Sequence, residues 1–78
     1  MTEVKEDLTL DTKGLSCPMP ILKLKKAIDG LKSGQVLKML ASDPGSVADV
    51  KAWAEKTGHT LLSSSQDGAI YVFFLKKS

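Results

Sequence analysis

Seventy-eight residues suffice for one domain, and a chain this short buries only roughly 60–65% of the surface it exposes when unfolded. A hydrophobic fraction of 42% and a charged fraction of 26% are ordinary for a soluble globular domain. The net charge of +2 is too small to imply nucleic acid or an anionic membrane, and a single cysteine excludes an internal disulfide framework.

The first segment, MTEVKEDLTL, mixes charges with no apolar run, so it does not read as a signal peptide. No stretch approaches the ~18 apolar residues of a membrane span. The expectation is a single domain over residues 1–78, with 1–7 as a flexible tail, in a reducing compartment and most simply the cytoplasm. Leu8-Thr9-Leu10-Asp11 alternates apolar and polar residues, as a short half-buried strand does. Thr12-Lys13-Gly14 then turns the chain.

Beyond Cys17, Ile21, Leu24, Ile28 and Leu31 recur at helical spacing, with Ala27 on the same stripe and Lys23, Lys25, Lys26 and Asp29 largely off it. Gly30 and Gly34 predict a helix end around Leu31–Ser33. Gln35 to Ala41 suits a buried strand from which Lys38 must find a way to water. Asp43-Pro44-Gly45 predicts a turn and Ser46 an N-cap, with Asp49 three residues on as in a capping box. Val47, Val50, Trp53 and Ala54 form the apolar face of this second helix, which ends at Gly58.

His59 to Ser64 reads as a serine-rich edge strand, Asp67-Gly68 as a tight turn, and Ala69 to Leu75 as a strand apolar on both faces, hence central. The order is β-α-β-α-β-β. A right-handed strand–helix–strand unit comes first and an antiparallel pair last. Two helices cover one face of the sheet and leave the other partly open, where Tyr71 and Phe73 are candidates for self-association.

The stretch LSCPMP carries the chemistry. Cys17 precedes Pro18, which pushes it to the extended angles of an N-cap, and Pro18 then suits the first helical position. Pro20 disfavours helical angles at Met19, so a start at Pro20 is the other possibility. Either way the sulfur lies within about a turn of a helix N-terminus. Unpaired N–H groups and the helix dipole there stabilise a thiolate and lower the thiol's pKa. A lone cysteine is often a buried hydrophobe, and that reading stays open on spacing alone.

A dithiol site needs a second cysteine, and a metal site needs three or four ligands where the chain offers one cysteine and one histidine. No metal or cofactor is therefore expected. Cys17 with His59 is a conceivable thiol-hydrolase pair lacking an orienting third group. A single accessible thiolate suits attack on sulfur, giving a persulfide or mixed disulfide. Lys23 and Lys26 on the first helix read as a solvated face or as a docking surface for an acidic partner. Direct nucleic-acid binding is disfavoured, because all eleven cations are lysines and aromatics are few.

From Leu8 to Lys76 the chain resembles the TusA (SirA-like) sulfur-carrier family. The resemblance rests on Leu10-Asp11-x-x-Gly14-Leu15-x-Cys17-Pro18-x-Pro20, on Ser42-Asp43-Pro44-Gly45-Ser46-x-x-Asp49, and on Gly58-His59 before an apolar stretch. It implies an α+β fold, a two-layer α/β sandwich with a four-stranded mixed sheet in the order 1-2-4-3. It also implies that Cys17 forms a persulfide, with Pro18, Met19 and Pro20 as the supporting turn. The sulfur would come from a cysteine desulfurase or rhodanese-type donor and pass to an acceptor protein, as in tRNA thiolation, cofactor assembly or sulfur metabolism. Such a protein is a carrier more than a stand-alone enzyme. Some family members have arginine before the cysteine and an acidic residue between the prolines, where this chain has Ser16 and Met19. In the alternative reading the chain is a regulatory module docking protein or RNA, with Cys17 incidental.

Overall fold

Six elements run in the order β1 (Leu8–Thr12), α1 (Met19–Asp29), β2 (Val36–Ala41), α2 (Ser46–Thr57), β3 (Thr60–Asp67) and β4 (Ile70–Lys76). The computed structural model describes residues 6–15 and 19–78. The four strands form one sheet in the order β1-β2-β4-β3. β1 pairs parallel to β2, with Leu8 opposite Leu37 and Thr12 opposite Ala41. β4 lies antiparallel between β2 and β3, as expected of the strand that is apolar on both faces.

Side chains alternate across a strand, so the register sorts the sheet into two faces. One face carries Leu37, Met39, Ala41, Phe73 and Leu75, all fully buried. Leu24 and Ile28 of α1 and Val50 and Ala54 of α2 close onto them as one core, with Leu10, Leu31, Trp53 and Tyr71 at its margin. The apolar stripes foreseen for the two helices are thus the faces they bury, except at Val47 of α2, which is 39% exposed. Both helices lie on this one side. Tyr71 and Phe73 therefore belong to the helix-covered core, and Phe73 is fully buried, so neither lies on the open face. That face instead presents Val72 and Phe74, and Lys38 escapes across it with its ammonium 5.8 Å from the Phe74 ring.

Several boundaries move by a residue or two. α1 ends at Asp29, where Gly30 and Leu31 N–H groups fall back on the Ala27 and Ile28 carbonyls and Lys77 Nζ donates to the Ile28 carbonyl at 3.0 Å. β3 runs on to Asp67, so the hairpin turns at Gly68-Ala69. Gly68 takes φ 62 and no other residue type has positive φ, the pattern of a type II′ turn with glycine first. A bulge between Leu61 and Ser63 interrupts the β3 ladder. Asp7, assigned to the tail, is held: its N–H donates to the Val36 carbonyl at 2.7 Å and its carboxylate accepts the Val36 N–H at 2.8 Å.

The start of α2 also differs. Gly45, not Ser46, is the N-cap, with no side-chain cap hydrogen bond. In the turn before it Asp43 Oδ1 accepts the Gly45 N–H at 3.0 Å and the Asp43 carbonyl accepts the Ser46 N–H at 2.9 Å. Pro44 follows as the first residue of the turn, where a missing N–H is no loss. Ser46 is only 2% exposed, and its hydroxyl has no partner among the described residues.

Candidate functional site

Because β1 and β2 are parallel and adjacent, both end at the same edge of the sheet, and the connections into α1 and α2 leave from there. In open sheets with parallel strands this end is where ligands and partners are met. Thr12 closes β1. Its buried Oγ1 donates to the Leu40 carbonyl at 2.6 Å, fixing the end of β1 to β2. The chain then folds tightly: Lys13 N–H donates to Asp11 Oδ1 at 2.9 Å and Leu15 N–H to the Thr12 carbonyl at 3.2 Å.

Gly14, at φ 83, takes the left-handed conformation that makes this turn possible. Its N–H donates to Ser42 Oγ at 2.9 Å, so the loop after β1 is clasped to the loop after β2. Ser42, and Asp43 beside it, thus belong to the same end of the molecule as the turn. Ser42 was not among the residues singled out in the sequence; only its place in the Ser-Asp-Pro-Gly segment marks it.

Ser16, Cys17 and Pro18 lie outside the described residues. The chain leaves Leu15 at this end and is helical from Met19, between the two starting points the prolines allow. Pro20 is buried and packs inward, wedging the first turn against the core. Met19 points the other way and is 44% exposed.

Met19 lies three and four residues before Leu22 and Lys23, and Lys26 four and three after them, so the four share a stripe on the outer side of α1. With Lys25 and Asp29 they line a shallow depression of about 400 Å³. Leu22 is 50% exposed, an apolar side chain on a charged face. It escaped notice in the sequence, although its position off the buried stripe of Ile21, Leu24 and Ile28 is visible there. Met19, Lys23 and Lys26 are therefore brought together on a surface that starts two residues after Cys17.

His59 is elsewhere. It precedes Thr60, which is opposite Lys76, itself opposite Val36, at the far end of the sheet. Its ring packs on Trp53 at 5.2 Å between centroids, and Nδ1 accepts the Ser78 N–H at 3.1 Å. His59 thus lies at the end of the sheet away from the Gly14–Ser42 clasp, and the Cys17 half of the conceivable Cys17–His59 pair lies outside the described residues. Among the described residues no three His, Cys, Asp or Glu side chains cluster as a metal site would require, and no helix is long and apolar enough to cross a membrane.

The connection that contains the single cysteine of the sequence therefore joins the end of a parallel strand pair to α1 in a two-layer α/β sandwich. The family model of sulfurtransferase TusA matches residues 8–77, and the chain belongs to that family. It is 49% identical to the sulfur carrier protein TusA of Allochromatium vinosum over 72 residues, 92% of this chain and 95% of that one. It is 50% identical over 74 residues to YrkF of Bacillus subtilis, covering 95% of this chain but only 40% of that longer protein. The fold is similar to the crystal structure of a SirA-like protein from Desulfitobacterium hafniense, with a TM-score of 0.78 at 25% identity over 88% of this chain and 95% of the other.

Proposed function

We propose that this protein is a sulfur carrier whose Cys17 takes up a sulfane sulfur as a persulfide and hands it to an acceptor protein. The observation that carries the reading is family membership over residues 8–77, with the single thiol of the chain in the Cys-Pro-x-Pro segment between β1 and α1. The Cys17 thiolate attacks the outer sulfur of a donor persulfide. A new S–S bond forms, the donor's own S–S bond breaks, and the electron pair leaves on the donor thiolate. Release runs the same exchange towards the acceptor, so neither step needs an external oxidant or reductant. The N-terminus of α1 favours the anionic sulfur, and Pro18 and Pro20 limit the freedom of the turn that presents it. A carrier requires no enclosed cleft, because the donor and acceptor proteins supply the catalytic groups.

The outer face of α1 fits the docking role. Met19 and Leu22 offer exposed apolar area beside the thiol segment, and Lys23 and Lys26 offer charge for an acidic rim on the partner. Donors of the cysteine desulfurase or rhodanese type suit this chemistry, in a reducing compartment such as the cytoplasm. Ser16 and Met19, which differ from the arginine and acidic residue of some relatives, would bear on which partner is chosen.

The test is intact-mass spectrometry without reductant after incubation with a cysteine desulfurase and cysteine, and separately with a rhodanese and thiosulfate. The expected result is a gain of one sulfur atom, reversed by reductant and absent in Cys17→Ser. A Cys17 that neither gains sulfur nor reacts with a thiol label would overturn the proposal and leave the docking-module reading. The double variant Lys23→Glu/Lys26→Glu should slow loading and remove its salt dependence while leaving the circular dichroism spectrum unchanged.

A further inference from the structure

The sheet face opposite the helices has a composition that solvent exposure alone does not explain. Val36 and Leu40 of β2 and Ile70, Val72 and Phe74 of β4 form a continuous half-buried apolar band along the two central strands. The edge strands frame it with polar side chains: Thr9 opposite Lys38 on β1, and Ser63 and Ser65 opposite Phe74 and Val72 on β3. An apolar centre inside a polar frame is the anatomy of a protein interface.

The charges on this face are segregated along the strands. Lys76 and Lys38 lie towards the end where Val36 enters β2, opposite each other's neighbours in the ladder. Asp11 and Asp67 lie towards the other end, level with Leu40 and Ile70. Asp11 also holds Lys13 at this end, accepting its N–H at 2.9 Å and making an exposed ion pair with its ammonium at 3.8 Å.

We propose that this face is the contact surface of a homodimer in which two copies stack sheet on sheet about a two-fold axis running across the strands. That operation reverses the strand direction of the second copy. The Lys38–Lys76 end of each copy then meets the Asp11–Asp67 end of the other, and the two apolar bands close on each other. The opposite arrangement, with strands aligned in the same direction, sets lysine against lysine and aspartate against aspartate. The pattern is therefore self-complementary in one orientation only.

The size of the face sets the strength. Four strands about 4.8 Å apart and about six residues long present a face of roughly 20 × 20 Å, at the lower end of what specific interfaces bury once side-chain relief is counted. A dimer dissociating in the micromolar range is expected.

Sedimentation velocity from micromolar to millimolar concentration tests this directly. The expected result is a concentration-dependent rise from monomer to twice the monomer mass. Val72→Glu, in the middle of the band, should stay monomeric with an unchanged circular dichroism spectrum. Lys38→Glu/Lys76→Glu and Asp11→Lys/Asp67→Lys should each be monomeric alone and form a one-to-one dimer when mixed. A wild-type chain that sediments as a monomer at millimolar concentration overturns the proposal, as does a dimer indifferent to Val72→Glu. A dimer that ignores the charge variants overturns the antiparallel stacking.

Discussion

Asp43 and Ser46 are both good helix-capping residues, and the structure separates their roles. The Asp43 carboxylate holds the Gly45 N–H, while the Ser46 hydroxyl is buried with no partner among the described residues. Asp43→Ala should therefore cost about 1 kcal/mol of stability, the usual net value of a lost hydrogen bond. Ser46→Ala should be neutral or stabilising by up to about 1 kcal/mol, because it removes a buried polar group that bonds nothing. Urea denaturation of the two variants checks the pair, and a cost for Ser46→Ala equal to that of Asp43→Ala would contradict this assignment. Thr12 makes a third case. Thr12→Val keeps the shape and loses the 2.6 Å bond to the Leu40 carbonyl, so it should cost about 1–1.5 kcal/mol in the same assay.

Among the elements, β4 carries the most. Phe73 is the largest fully buried side chain and meets residues of both helices and β2 in one cluster. Phe73→Ala should cost about 3–5 kcal/mol. For a domain whose whole stability is of order 5 kcal/mol, that leaves little folded protein at room temperature, as a flattened thermal melt would show. The strand's role was legible in the sequence: its alternation separates Ile70, Val72 and Phe74 from Tyr71, Phe73 and Leu75, and a strand apolar on both sides must be central.

Which of those two sets meets the helices was not legible, since both are apolar; only the register against β2 decides it. The element order and, apart from Val47, the buried stripes of both helices could be read from residue spacing alone. The start of α2 could not, because Ser46 satisfies the local capping rule while the helix begins after Gly45 with no side-chain cap. The clasp between Gly14 and Ser42 joins residues twenty-eight positions apart, beyond the reach of any local pattern.

At the scale of the whole molecule, the end that carries the Gly14 and Ser42 loops and the histidine end are opposite poles. Loading of Cys17 by a donor should survive His59→Ala, apart from the modest stability lost with the Trp53 contact, whereas a thiol hydrolase would lose its turnover. Mass spectrometry of the loaded variant distinguishes the two. The final residues close the pole away from the thiol segment: Lys77 N–H donates to the Gln35 carbonyl, the Lys77 carbonyl accepts the Gly34 N–H, and Ser78 N–H reaches His59. The carboxyl end is thereby anchored where β2 begins, about the length of a strand from the loops at Gly14 and Ser42. A molecule tethered to a sensor chip through a linker after Ser78 would stand with its Gly14 and Ser42 loops towards the solution. Its encounters with donor and acceptor could then be timed in turn on one immobilised layer, with the attachment point out of the path of both.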